Sequence, residues 1–277
     1  MALAKPRVVL MVLVTTLVGY YIGLDRSPDW ARMLHVIVGT ALAAGGTLAL
    51  NQYWERDVDA RMERTRSRPL PQGRLAPLEA LIFGVAISVV GVGYLAVCVN
   101  ILAAAVTAAI VVTYVFVYTP LKRRTPLCTL LGALPGALPP IIGWVAARDT
   151  LGAGAWVLFA IMFVWQLPHA LAIAWLYRED YACGGIRVLP VIDPHGSLTE
   201  RSIAVSSVAL LVVSLLATPA GVAGAVYFVT AFVLGAVFVV FSARQALIPS
   251  RAAMRQVLFA SLLYLPLILT ALAVDKR

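Results

Sequence analysis

Asn51, Glu55 and Asp59 recur every fourth residue, at the point where a long apolar run gives way to charge. If that run is helical and continues through them, all three lie within about 80° of one another on one face. A carboxamide and two carboxylates stacked in this way offer hard oxygen donors of the kind that hold Mg2+ against a substrate phosphate. Arg61, Arg64 and Arg68 follow at once, and their planar guanidinium forks match diphosphate oxygens. Asp57 points away from the metal face and toward these arginines, where it could orient them. An ordinary cationic loop with surface ion pairs would account for the arginines. It would not account for carboxylates at helical spacing on a membrane edge, a position that defaults to function.

A second constellation begins inside a later apolar run, at Trp165-Gln166-Leu167-Pro168-His169, and leaves it through Tyr177-Arg178-Glu179-Asp180-Tyr181. On one continuous helix Gln166, His169, Tyr177 and Asp180 fall within about 80° of each other, a polar stripe that should face a bundle interior. Asp180 is the candidate carboxylate for a second or shared Mg2+, and Arg178 or Tyr181 could bind phosphate. Glu179 lies about 100° further round and reads as solvated. His169 fits three roles: a buried histidine bonded to a neighbouring helix, a positioner of a metalloporphyrin, or a proton acceptor. His35 and His195 read as incidental. Lys122-Arg123-Arg124, after Thr119-Pro120, fits equally a cationic stop to a membrane span and a diphosphate holder. The candidate catalytic residues are therefore Asn51, Asp57, Asp59 and Asp180, and the candidate metal ligands are Asn51, Glu55, Asp59 and Asp180. Candidate substrate contacts are Arg61, Arg64, Arg68, Lys122, Arg123, Gln166, His169, Arg178 and Tyr181.

The elements that must position these groups are membrane helices. Of the 277 residues 61% are hydrophobic and only 13% charged, a balance that leaves a soluble domain unable to cover its apolar surface. A bilayer-spanning helix takes about 20 apolar residues. Runs of that kind lie near 8–24, 32–50, 77–97, 101–118, 126–147, 154–176, 200–217, 221–243 and 255–273. The polar Asn100 argues against merging the runs on either side of it. The first run is longer than the core of a signal peptide and lacks a small-x-small cleavage site. Connections 98–100, 148–153 and 218–220 are short, whereas 51–76 and 177–199 are long and polar, and both long ones fall on the same side. Cationic loops stay in the cytoplasm, and that side holds seventeen of the 22 lysines and arginines, against Arg26, Arg32, Arg148, Lys276 and Arg277 on the other. The expected fold is thus an all-α integral membrane protein of one domain, residues 1–277, with about nine helices around a central cavity. Its N-terminus is expected in the cytoplasm, its C-terminus outside, and its active site on the cytoplasmic side of a prokaryotic inner membrane. Membrane topology also explains the net charge of +9 better than nucleic acid does, so no nucleic-acid partner is expected. Cys98, Cys128 and Cys183 are too scattered for a disulfide or metal set.

At these residues the chain resembles the UbiA superfamily of intramembrane prenyltransferases, and within it the haem-farnesylating branch. The matching stretches are Lys5-Pro-Arg7, Asn51 to Pro71, Tyr118 to Thr125, Gly132 to Trp144 with Pro139-Pro140, Trp165 to His169, and Glu179-Asp-Tyr181 leading to Leu189-Pro-Val191. They cover most of the first 195 residues, and the last three spans match only as apolar helices. The resemblance implies a nine-helix bundle whose central cavity is capped by the two polar loops. It also implies that Mg2+ and basic residues draw diphosphate from farnesyl diphosphate, leaving an allylic cation that a vinyl group of haem B attacks, and that water completes haem O. The lipid bilayer is the surrounding partner, and the resemblance allows handover of product to haem A synthase or a terminal oxidase. Two departures stand out. Quinone-making members usually begin this motif Asn-Asp and carry Asp at its fifth position, where Gln52 and Glu55 stand here. The second loop reads Cys183-Gly-Gly-Ile-Arg187-Val in place of the commoner Ala-Gly-Ile-Pro-Met. Competing readings are prenylation of an aromatic acceptor, such as a quinone or chlorophyll precursor, and anion transport. Transport leaves the paired carboxylate sites without a purpose.

Overall fold

The computed structural model describes residues 2–25 and 27–277; Arg26, counted above among the outer cations, lies outside the described residues. A short 3-10 turn, Ala2–Ala4, leads into α1 (Pro6–Gly23). Then follow α2 (Trp30–Asp59), α3 (Pro77–Cys98), α4 (Ile101–Leu121), α5 (Cys128–Arg148, interrupted at Leu138) and α6 (Ala153–Leu176). Two short helices, α7 (Arg178–Cys183) and α8 (Leu189–Ile192), precede α9 (Ser197–Leu215), α10 (Ala225–Leu247) and α11 (Arg251–Val274). Among the described residues nine of these, all but α7 and α8, are long and apolar enough to cross a membrane.

Local sequence sets the helix ends. The Asp29 side chain caps α2 by accepting the Arg32 N–H at 3.0 Å, and Ser250 caps α11 through Ala253 N–H at 3.1 Å. Asn100 caps α4 by accepting the Ala103 N–H at 2.7 Å. Capping explains why one polar residue separates two spans: its side chain supplies an acceptor that the first helical turn lacks. Pro77 and Pro139 stand at first-turn positions, where a missing N–H costs nothing. One expected boundary shifts. The tenth helix starts at Ala225 rather than near 221, because Gly221 takes a left-handed φ of 73° and the N–H groups of Val222 and Ala223 turn back to the Ala217 carbonyl. Ala223 then pairs with Lys276 in a single β-bridge.

Helix α2 packs along α3, α1 along the second half of α5, and α6, α9, α10 and α11 form a second group. Small residues allow the α2–α3 approach, since a Cβ on Gly46 would lie 2.3 Å from Ser88 Oγ. Large apolar side chains such as Val97, 86% exposed, and Leu247, 81% exposed, project outward from the bundle. A belt of this kind is stable only against lipid. Successive spans alternate in direction, so the connections after α1, α3, α5 and α9 share one end. Arg32 with Asp149, Arg148 with Asp25, and the Lys276 ammonium on the Leu24 carbonyl at 2.5 Å tie that end together. The opposite end carries the polar segments around Asp59–Ala76 and Tyr177–Gly196, and it is this end that opens into a cavity.

Candidate active site

Helix α2 continues through Asp59, so Asn51, Glu55 and Asp59 do share one face, and all three line a cavity of about 280 Å³. Asn51 is buried; its Oδ1 accepts from Lys5 Nζ at 3.0 Å and its Nδ2 donates to Thr119 Oγ1 at 3.3 Å. Glu55 Oε1 pairs with Lys122 Nζ at 2.8 Å. Asp59 is fully buried; its Oδ2 accepts from Arg68 at 2.5 Å, while its Oδ1 has no partner. A buried carboxylate oxygen without a donor is costly, and this one belongs to a residue that lines the cavity. Hard oxygen donors with one free valence fit Mg2+. Among the described residues no three His, Cys, Asp or Glu side chains form a ready cage, so a cation here would complete its shell with substrate oxygens and water.

The basic side of the cavity is formed by Lys5, Arg64, Arg68 and Lys122, against the two acids Glu55 and Asp59. That surplus of positive charge favours an anion. Burial, with the nearby Arg68 and Lys122 cations, lowers the Lys5 ammonium to about 8. Burial alone would also lower Lys122, but the Glu55 carboxylate outweighs it and holds that ammonium well above its ordinary value. Lys122 Nζ sits 4.2 Å above the Tyr118 ring centroid, a cation–π contact.

Helix α4 reaches this position through a π-helical stretch, Thr113–Tyr118. Pro120 cannot donate to the carbonyl four residues back, and the wider turn lets Thr119 bond Tyr114 O with both its N–H and its hydroxyl, the latter at 2.8 Å. The result brings Tyr114, Tyr118 and Lys122 to one cavity wall. A π-bulge next to polar groups is a frequent mark of function.

Other expectations are redistributed. Helix α2 stops at Asp59 and the chain proceeds in turns through 60–76, so Asp57, Arg61, Arg64 and Arg68 do not form one helical face. Asp57 is exposed and its nearest cation is Arg56, at 3.8 Å. Arg61 is exposed and outside the cavity lining, whereas Arg64 and Arg68 line it. The second constellation divides for a similar reason, because α6 ends at Leu176 and α7 starts afresh. Gln166, Ala170 and Ala174, four residues apart, line the cavity. His169 lies about 100° from the centre of that face. It stacks on Trp165, with ring centroids 4.7 Å apart, and bonds Ser261 Oγ at 2.8 Å. The half-buried ring is thus tied to a neighbouring helix. Arg178 lies over the Trp175 ring, outside the lining, while Tyr181 is inside it.

Asp180 is not part of the lining either. Its Oδ1 accepts the Glu63 N–H at 2.7 Å and its Oδ2 lies 3.9 Å from Arg64 Nε. Arg64 in turn reaches the Tyr181 hydroxyl at 3.5 Å. Asp180 thus clasps the segment after α2 to the segment after α6. Arg123 lines a neighbouring cavity rather than this one. Sequence reasoning missed Lys5, Tyr114 and Tyr118 as site residues; the cation at the mouth of the first span and two tyrosines one helical turn apart were the available signals.

The sequence of residues 12–263 matches the family model described as the UbiA prenyltransferase family. This chain belongs to that family. The UbiA chain is 46% identical to a Solibacter usitatus protein named Protoheme IX farnesyltransferase, covering 99% of this chain and 97% of that one. A Koribacter versatilis protein of the same name is 40% identical over 99% of this chain and 92% of its own length. Among solved structures, a UbiA homolog from Archaeoglobus fulgidus bound to GPP and Mg2+ superposes with a TM-score of 0.66 at 14% identity, covering 98% of each chain. A structure described as digeranylgeranylglyceryl phosphate synthase in membranes reaches 0.84 at 17% identity, covering 99% of this chain and 96% of the other. These structural likenesses establish the fold, a UbiA bundle; the apolar helices and the family match make the chain a multi-pass membrane protein.

Proposed function

We propose that this UbiA protein is a protohaem IX farnesyltransferase, moving the farnesyl group of farnesyl diphosphate to a vinyl group of haem B to give haem O. The observation that carries the chemistry is the partnerless Asp59 oxygen in a cavity whose cations outnumber its acids. The choice of prenyl donor and acceptor rests on the name shared by near full-length relatives.

Asp59, with Asn51 and Glu55 beside it, would hold Mg2+. The bound ion supplies Lewis-acid neutralisation of the leaving group. Arg68, Arg64, Lys5 and Lys122 take the remaining diphosphate charge, which grows as the C1–O bond breaks and its electron pair leaves with the oxygen. Tyr114 and Tyr118, with ring centroids 5.2 Å apart, give the allylic cation aromatic faces in place of water. The vinyl π pair then forms the new C–C bond, and the carbocation left beside the macrocycle takes up water and releases a proton. The Asp180 clasp keeps bulk water from quenching the cation early. The whole chain acts as one unit. The cation-rich end carrying the cavity faces the cytoplasm of a prokaryotic inner membrane, by the excess of lysine and arginine there.

Purified protein given haem B, farnesyl diphosphate and Mg2+ should yield a haem of higher mass, and chelation should stop it. Product formed only with a phenolic acceptor would replace this reading with an aromatic prenyltransferase.

A further inference from the structure

A second cavity, of about 380 Å³, lies against the first and shares Glu55, Lys122 and Ile186 with it. Its own walls are Trp54, Val58, Thr119, Pro120, Arg123 and Arg124. Trp54 is half exposed and presents an indole at the end of α2. Arg123 and Arg124 are exposed, and among the described residues neither guanidinium enters an ion pair, whereas Arg64, Arg68 and Lys122 each do. The bound diphosphate does not need these two, because the first cavity has four cations of its own. An apolar wall with two adjacent, unpaired forks suits a flat apolar molecule that carries two carboxylates. In protohaem IX the propionates leave the ring on the edge opposite the vinyl groups. A haem placed with a vinyl group toward the shared wall therefore puts its acids on the far side, away from the diphosphate.

Resting on the proposed haem activity, we propose that this second cavity is the acceptor's carboxylate subsite. Arg123 and Arg124 pair with the two propionates, and the macrocycle lies against Trp54. Two carboxylates distinguish this ligand from a lipid headgroup, whose single phosphate would occupy one fork.

The test is Soret titration of the purified full chain, in neutral detergent and in phosphatidylcholine nanodiscs, with haem B and with its dimethyl ester. The ester keeps both vinyl groups and loses both charges. Wild type should bind the free acid about tenfold or more tighter than the ester, the scale of two charge-assisted contacts at a partly exposed site. In the R123Q/R124Q variant the difference should vanish, with ester affinity preserved as evidence of an intact fold. The proposal is overturned if the variant keeps wild-type discrimination, or if its binding of farnesyl diphosphate weakens while haem discrimination stays. It is also overturned if discrimination depends on added phosphatidylglycerol, which would make the arginines a lipid site. Discrimination that disappears in the variant while wild type makes no product leaves the subsite standing and removes the farnesyl transfer. No haem binding by wild type removes both.

Discussion

Arg68 donates to one oxygen of the buried Asp59 carboxylate at 2.5 Å, and the other oxygen of that carboxylate has no partner. The guanidinium fixes the carboxylate's orientation and leaves one lone-pair direction free for a cation. Asp59→Asn keeps the shape and removes the charge. Turnover should fall about 100-fold, the loss typical of a well-placed electrostatic group, and the Mg2+ concentration giving half-maximal rate should rise. Near wild-type rates at low Mg2+ would take Asp59 out of the metal site.

Glu55 and Lys122 make a largely buried pair at 2.8 Å, with side chains 12% and 15% exposed. Removing one partner of such a pair strands the other charge, at a cost of about 3–5 kcal/mol, whereas replacing both by apolar groups is often neutral. Glu55→Gln should therefore lower the thermal midpoint in detergent clearly, and Glu55→Gln with Lys122→Met should recover most of it. Neither variant should recover turnover, because both lack cavity charge. A double variant as unstable as the single one would show that the pair is not what holds these helix ends together.

Lys5 stands on the N-terminal turn, yet its ammonium reaches Asn51 inside the cavity, and burial lowers it to about 8. The unfolded chain holds this proton up to about 10.5, so between these two values the unfolded state binds more protons than the folded one. Lys5 therefore adds stability as pH climbs through that window and costs it below about 8. Anion binding has the opposite sign. Affinity for inorganic diphosphate should weaken, by about tenfold for one lost charge-assisted contact, as pH rises past the Lys5 transition. Lys5→Met should bind weakly at all pH values, with that dependence flattened. A steep dependence surviving in Lys5→Met would assign it to another group.

The nine spans among the described residues were legible because lipid demands long apolar runs, and the breaks at Asn100 and Pro77 are helix-start chemistry visible in single residues. The shared face of Asn51, Glu55 and Asp59 was legible for the same reason: the helix that carries them does not stop until Asp59. Asp57, His169 and Asp180 were misplaced by carrying helical geometry too far or by counting a face too broadly. Nothing in the run from Asp59 to Arg68 shows that the chain leaves the helix there. Arg68 returns to Asp59 only because the turns between them fold back, with Thr65 Oγ1 bonding the Asp59 carbonyl at 3.0 Å. Lys5 was hidden by distance in sequence, 46 residues from the asparagine it meets.

Gly136 and Gln166 give a test that separates site geometry from fold. A Cβ at Gly136 would fall 2.0 Å from Gln166 Oε1, the far end of a flexible side chain, so the glutamine can swing away without moving backbone. In place, its Nε2 donates to Met162 O at 3.0 Å and to Ala133 O at 3.4 Å, which holds the amide at the cavity wall. Gly136→Ala should change the free energy of unfolding by no more than about 1 kcal/mol, since one methyl group is accommodated by rotamer change. It should lower turnover about tenfold by displacing a group that positions substrate. Gln166→Leu should produce a similar loss, and the double variant should be no worse than either single, as expected of two residues acting through one side chain. Additive losses would mean that Gly136 acts through its own contact with substrate and not through Gln166.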